Sequence, residues 1–408
     1  MMRLTTLRSG LRVASHAMPG LQTAAVGLFA DVGSRHEPAP VNGIAHLFEH
    51  MVFKGAGGRS AREISEAIED VGGDLNACTE RDGTSFTATI MAEHLPLAIE
   101  LIADLIQSPH FTPAELEREK DVVLQELGEA RDTPGDIIFD NLWCAAFGDQ
   151  AIGRSILGDE DSVRGITVDD LQAWRSEQYR SGSVILAAAG KVDHAQLVDL
   201  AEQRFAELPE GVLADPAPAR FTGGIITNRQ SSEQAHLTLA FPAPAIRDPD
   251  YYAARLFADI AGGGASSRLF QQVREDRGLA YSINSALQPY DDVGLFYIYA
   301  ATARREAAAA ARLIELVIAE AARDATQREL DRVRTQSRAG LLMSLETPWG
   351  QANYLARVLA TWDRLVDPAE VTAKIAAVTL DDVRAVGARM IAGPAARATI
   401  GMPVARAA

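Results

Sequence analysis

His236-Leu237-Thr238-Leu239-Ala240-Phe241 reads as a short strand that runs into the acidic turn Arg247-Asp248-Pro249-Asp250 and then into a helix containing Leu256-Phe257. The same order occurs earlier in the chain. Gly27 to Val32 leads into Ser34-Arg35-His36-Glu37, and a helical stretch with Leu47-Phe48 follows. Downstream, the strand Leu295 to Ala300 and the Ala-rich helix Arg305 to Ala322 match Thr84 to Ile106. Alternating apolar residues mark the strands and a helical period marks the helices. Two diverged copies of one α/β unit, each of about 200 residues, account for the pattern, and each is long enough to bury its own core.

The division falls within Leu208 to Gly224, where Pro209, Pro216 and Pro218 stand among Ala, Gly and acidic residues. That composition suits a linker. The expected halves are residues 1–212 and 225–408, joined by 213–224. Within the first half, Thr112-Pro113-Ala114-Glu115 starts a helix, with Thr112 as cap and Pro113 at the first helical position. The helix is expected to reach about Leu127, stop at Gly128 and give way to a polar loop over Glu129 to Gly135.

Of the 408 residues, 47% are hydrophobic and 23% charged, the balance of a globular protein. The formal net charge of −16 repels phosphate backbones and excludes a dedicated nucleic-acid binder. It suits a basic partner instead. No apolar stretch approaches the ~18 residues that span a bilayer. Leu95 to Ile106 is interrupted by Glu100 and Asp104 and reads as an amphipathic helix. Arg3, Arg8 and Arg12 are followed by strand-like sequence, not by the apolar core of a signal peptide. Cys78 and Cys144 are the only cysteines, too few for a disulfide scaffold. The expectation is a cytoplasmic protein without membrane attachment, with Cys78 as a small buried residue.

The chemistry centres on His46-Leu47-Phe48-Glu49-His50. On a helix His46 and His50 lie one turn apart, about 40° from each other around the axis. Two imidazoles so placed can grip one metal ion, and Glu49 beside them can reach a metal-bound water. This is the inverted zinc-peptidase pattern H-x-x-E-H. A catalytic zinc needs a third protein ligand and an open position. The helix after Thr112 offers Glu119 and Glu126, seven residues apart and so on nearly one face, flanking the stripe Leu116, Val123, Leu127. By spacing alone either is a candidate, and pairing with Arg118 or Lys120 competes for both.

His46 to His50, followed after 75 intervening residues by Glu126, resembles the pitrilysin-type zinc metallopeptidases, the family of the mitochondrial processing peptidases and their bacterial relatives. Three longer blocks carry the resemblance along essentially the whole chain. Gly43-Ile44-Ala45-His46-Leu47-Phe48-Glu49-His50-Met51-Val52-Phe53-Lys54-Gly55 looks like the family's active-site block. Gly73-Asp74-Leu75-Asn76-Ala77-Cys78-Thr79 resembles its Asn-Ala-x-Thr edge strand. Ser267-Arg268-Leu269-Phe270, Arg274-Glu275 and Gly278-Leu279-Ala280-Tyr281 resemble its second-half block.

The resemblance implies an α+β fold of two homologous halves, each a mostly antiparallel sheet packed with helices, arranged around a peptide-binding chamber. It implies one Zn²⁺ per chain held by His46, His50 and Glu126, with Glu49 as general base and Glu119 supporting the site without touching the metal. Arg274 and Tyr281 would contact the bound peptide, and Asn76-Ala77 would pair with it as an extended strand. Setting Leu256-Phe257 against Leu47-Phe48 puts Arg255, Ala258 and Asp259 opposite His46, Glu49 and His50, so the second half has lost the metal chemistry. A chain with both the zinc ligands and the Arg/Tyr pair can work as a homodimer. Gly262-Gly263-Gly264 is a possible hinge or a loop close to substrate. The expected activity is zinc-dependent endopeptidase cleavage of extended or unfolded peptides, basic ones favoured by the net charge. The competing reading is a catalytically silent structural or chaperone-like subunit of the same fold, against which the intact ligand set counts.

Overall fold

In a computed structural model, which describes residues 1–230 and 232–402, both copies are mixed α/β. The first begins with β1 (Met2–Thr6), β2 (Arg12–Ala17) and β3 (Thr23–Ala30), then α1 (Ile44–Val52) and α2 (Ala61–Glu69). A hairpin of β4 (Asp74–Thr79) and β5 (Thr84–Met91) precedes α3 (Leu95–Gln107), α4 (Pro113–Asp132) and α5 (Pro134–Phe147). Then come β6 (Val184–Gly190) and α6 (His194–Arg204). The second copy has β7 (Gly224–Asn228), β8 (Gln234–Ala243), α7 (Tyr251–Gly262), β9 (Ser282–Pro289) and β10 (Gly294–Ala303). It continues through α8 (Ala307–Asp324), α9 (Gln327–Ser344), α10 (Pro348–Trp362), α11 (Leu380–Ile391) and β11 (Ala396–Ile400).

The first sheet runs β1-β2-β6-β3-β5-β4 and the second β9-β10-β8-β11-β7. Strand for strand, β4, β5, β3, β6 and β2 match β9, β10, β8, β11 and β7, with the same chain order in both. Among the described residues only β1 has no counterpart. Each sheet is antiparallel except for one pair, β2 with β6 in the first and β11 with β7 in the second. The repeat read from the sequence is thus a repeat of topology.

Strand β6, Val-Ile-Leu-Ala-Ala-Ala-Gly, is buried at every position, which requires cover on both faces of its sheet. On one face Val184, Leu186 and Ala188 join the large cluster with α1 and α3. On the other, Ile185 and Ala187 meet Leu355, Ala356 and Leu359 of α10, and Ala189 meets Ala352. In the second sheet Ala240, Leu295, Ala396 and Ala398 pack with Ile138, Leu142 and Ala146 of α5. The compact units therefore cut across the halves 1–212 and 225–408. One unit is Met1–Gly128, Ser155–Pro216 and Leu341–Asp367, and the other is Glu129–Arg154, Ala217–Gly340 and the segment from Pro368. Periodicity shows that α5 and α10 each have an apolar face, but not which sheet that face covers.

Three local expectations need correction. Helix α4 does not stop at Gly128 but runs to Asp132, so much of the expected loop is helical. Nothing packs where a Gly128 side chain would lie, and Glu129, Ala130 and Arg131 are good helix formers, so the glycine is tolerated at an exposed position. Cys78 is exposed, not buried, because burial alternates along β4 and Asp74, Asn76 and Cys78 share the open face. Gly262 is no free hinge: it ends α7 against β9, where a Cβ would come within 2.6 Å of the Ser285 nitrogen. Among the described residues no helix is long and apolar enough to cross a membrane.

Candidate active site

The site is built on α1. Its apolar residues Ile44, Ala45, Leu47, Phe48, Met51 and Val52 are buried, which leaves His46, Glu49 and His50 on the opposite side. The helix is anchored at its start. Gly43 has a φ of 94°, and a side chain there would strike the Leu157 carbonyl at 2.8 Å. Glu37, buried at the end of the acidic turn, accepts from the Gly43 and Ala45 N–H groups, each at 2.8 Å. A carboxylate on these otherwise unpaired donors also suits the positive end of the helix dipole.

Helix α4 brings Glu126 to the two histidines. Its Oε2 lies 3.8 Å from His46 Nε2 and 3.7 Å from His50 Nε2. The two imidazole rings are 4.6 Å apart. Among the described residues, His46, His50 and Glu126 form the one group of three such side chains whose ligand atoms all lie within 4.8 Å of one another. Tetrahedral zinc with bonds of 2.0–2.1 Å holds its ligand atoms about 3.4 Å apart. The two histidine–glutamate spans exceed that by a few tenths of an ångström and the third lies within 4.8 Å, so small side-chain shifts would close the donor set on the ion. Burial, with His50 as a secondary influence, lowers His46 to about 4 and keeps the ring neutral, the ligating form. Its Nδ1 is buried with no hydrogen-bond partner among the described residues, whereas the other imidazole is braced.

That brace is Glu119, buried on α4, whose Oε2 lies 3.1 Å from His50 Nδ1. Lys54 Nζ meets the other oxygen at 2.9 Å. Pairing with Arg118 or Lys120 does not occur at Glu119, because Arg118 turns to Glu115 and Lys120 to Glu117. A carboxylate behind a ligating imidazole fixes its ring orientation and raises its basicity. Glu119 therefore stands outside the ligand group and Glu126 inside it.

Glu49 lies in a largely buried position that raises its proton affinity, opposed by hydrogen bonds from Thr79 and by the nearby His50. Thr79 Oγ1 donates to Glu49 Oε2 at 2.5 Å. Thr79 ends β4, which lies at the edge of its sheet. On the same strand the Ala77 N–H donates to Asn76 Oδ1 at 2.9 Å.

Arg274 and Tyr281 belong to the other unit. Arg274 sits in a wide helical turn, Phe270–Glu275, with its guanidinium 4.7 Å from the centre of the Phe270 ring. Tyr281 is 61% exposed, and just before β9 its N–H donates to the Ala301 carbonyl of β10 at 2.8 Å. At the position of the site in the second copy, Asp259 accepts from Ser337 of α9 at 3.3 Å. Burial raises its proton affinity, with Arg255 acting against that.

Sequence reasoning missed roles for Lys54 and Thr79. Both fall inside family-like blocks, but neither spacing nor periodicity joins residue 54 to 119 or 79 to 49.

Comparison with known proteins agrees with this geometry. Residues 12–160 match the insulinase (peptidase family M16) model, and residues 165–337 match the model for the M16 inactive domain. The chain is 34% identical to an uncharacterized zinc protease of Rickettsia bellii, over 98% of this chain and 97% of the relative. It is 35% identical to one of Mycobacterium tuberculosis, over 98% and 93% respectively. Among solved structures, a peptidase M16 inactive domain from Pseudomonas fluorescens superposes with a TM-score of 0.90 at 25% identity, covering 100% of both chains. A protease from Helicobacter pylori gives a TM-score of 0.91 at 21% identity, over 98% of this chain and 99% of the other, and shares the fold. With its site helix, its paired units and its full-length relatives in agreement, the chain belongs to peptidase family M16.

Proposed function

We propose that this chain is a zinc-dependent endopeptidase that hydrolyses extended or unfolded peptides. The observation that carries the reading is the convergence of His46, His50 and Glu126 within 4.8 Å beside a carboxylate that is not one of them. Bound zinc supplies Lewis acidity and lowers the pKa of water to about 7. Glu49, with its raised proton affinity, takes the proton of the attacking water and returns it to the leaving amine. Glu119 and Lys54 hold His50 in orientation. The open edge of β4 receives the peptide as an added strand, with Asn76 and Ala77 at the contact; such pairing recognises backbone and leaves selectivity to side-chain pockets.

Arg274 and Tyr281 contribute donors for peptide carbonyls. The net charge of −16 favours basic peptides. Two free cysteines fit a cytoplasmic setting, and a homodimer remains part of the proposal.

The test is metal analysis with a quenched-peptide assay on wild type and Glu49→Gln. One zinc per chain in both proteins, with turnover lost by about 10²-fold or more in the variant, is the expected result. A wild type that holds no zinc puts the silent-subunit reading ahead. A variant as active as wild type removes Glu49 as the base.

A further inference from the structure

In the β4–β5 hairpin the Glu80 N–H donates to the Gly83 carbonyl at 2.7 Å. That makes Glu80–Gly83 a hydrogen-bonded pair, and in an antiparallel ladder such pairs alternate. Cys78 with Ser85 and Asn76 with Thr87 are then the next bonded pairs, so Ala77 and Thr79 turn their main-chain groups to the open edge. The protein itself supplies partners along this edge. Asn76 Oδ1 takes the Ala77 N–H. Glu49 accepts from Thr79 Oγ1.

We propose that Thr79 is the positioning residue for Glu49, holding it through the side-chain hydroxyl at the strand edge where an extended peptide docks. The proposal rests on reading Glu49 as the general base. A hydroxyl on a β-branched side chain with restricted χ1 is a donor held in place, and a bond from it to a carboxylate fixes where that oxygen sits. Main-chain donation to the peptide is assigned to Ala77, two residues before Thr79 on the same edge. That N–H becomes available when the Asn76 side chain swings off it. The base therefore stands one bonded pair along the strand from the docking point, and the distance between docking and cleavage is set by the strand repeat. The competing role for Thr79 is packing, since its hydroxyl also lies 3.5 Å from the Ala45 carbonyl of α1.

The test compares Thr79→Val, which keeps the shape and the main-chain N–H, with Thr79→Ser, which keeps the hydroxyl. Zinc content, melting temperature, kcat and KM for one quenched peptide are measured for both and for wild type. Loss of one bond to a charged group predicts a fall in kcat on the order of tenfold in Thr79→Val. KM, zinc content and melting temperature stay near wild type, and Thr79→Ser recovers most of kcat. Wild-type kcat in Thr79→Val overturns the proposal. So does a Thr79→Ser variant as impaired as Thr79→Val, or a kcat loss that tracks loss of zinc, because packing is then the role. An active wild type with a dead Glu49→Gln and a fully active Thr79→Val sinks this inference alone. A wild type without peptidase activity, or an active Glu49→Gln, sinks the general-base reading and this inference with it.

Discussion

The two units share one strand order and one set of core helices, yet their long helices α4 and α9 put their charges to different uses. In the first unit α4 presents Glu119 and Glu126 to the histidines of α1. In the second, matching the buried residues Leu116 and Val123 of α4 to Leu330 and Ser337 of α9 puts Val333 opposite Glu119 and Gly340 opposite Glu126. Of the two carboxylates that α9 does carry, Glu329 in its first turn bonds Arg268 at 2.6 Å and Asp331 pairs with Arg334 at 3.0 Å. The same scaffold thus carries a candidate metal site in one copy and an internal ion pair in the other. The fold is maintained by apolar faces that both copies keep. Chemistry is decided by a few polar positions that only one keeps.

The largest effect expected from that contrast is at Glu126. Glu126→Gln replaces a charged ligand by a weak neutral donor and makes the first unit resemble the second. Zinc measured by atomic absorption after dialysis drops well below one per chain, and peptide cleavage falls by about 10³-fold or more. Retention of both would show that the third ligand lies elsewhere.

The second unit should answer to its own charge pair. Arg268 is nearly enclosed, bonded to Glu329 through two nitrogens and also to Asp324. Arg268→Ala leaves a half-buried carboxylate without its cation, which costs about 3 kcal/mol in a denaturant titration. The pH dependence has a definite sign. Burial pushes Glu329 up, but the bonds from Arg268 and Thr326 outweigh it and hold it down, from 4.5 to about 2. A depressed acid contributes its stability fully above its ordinary value and loses it as pH falls. Wild-type stability should therefore decline between pH 4.5 and 2 by more than that of Arg268→Ala. Parallel declines would show that the pair is not the source.

A smaller effect is expected behind His50. Glu119→Gln or Lys54→Met keeps all three ligands but loosens the imidazole, so zinc affinity by chelator competition falls about 10- to 100-fold. Unchanged affinity in both variants would reduce Glu119 to a buried ion pair with Lys54. Hydrolysis at saturating zinc should change less than affinity, which separates this role from that of Glu49.

Much of this contrast was legible in the sequence, and the limits are physical. Period-2 and helical patterns report on a segment's own faces, so strands such as Thr84–Met91 and helices such as α1 and α3 could be read within a residue or two. The grouping of His46, His50 and Glu126 was legible because two of them share one helical turn and the third lies on a helix with its own start signal. What could not be read was non-local. Lys54 reaches a glutamate 65 positions away, and Thr79 reaches back 30 to Glu49. The covering of one copy's sheet by a helix from the other half of the sequence leaves no trace in either segment's periodicity. Cys78 was misjudged because cysteine's general preference for burial was applied where strand alternation decides.

Glycine at a helix interior is the last place where local reading and structure part, and it offers the smallest and cleanest test. Gly128 in α4 and Gly340 in α9 each lie where the chain passes from one compact unit to the other. At neither would an added Cβ meet another atom within 4 Å. Neither has positive φ, so neither needs glycine for its backbone or for space. Gly128→Ala and Gly340→Ala should each stabilise the protein by about 0.5–1 kcal/mol in denaturant titration, mainly by reducing the freedom of the unfolded chain. The gains should be equal if the two helices are interchangeable as scaffold. A gain at Gly340 with a loss at Gly128 would mean that the helix carrying the zinc ligand needs the glycine for movement, and the likeness of the two copies would then end at their sheets.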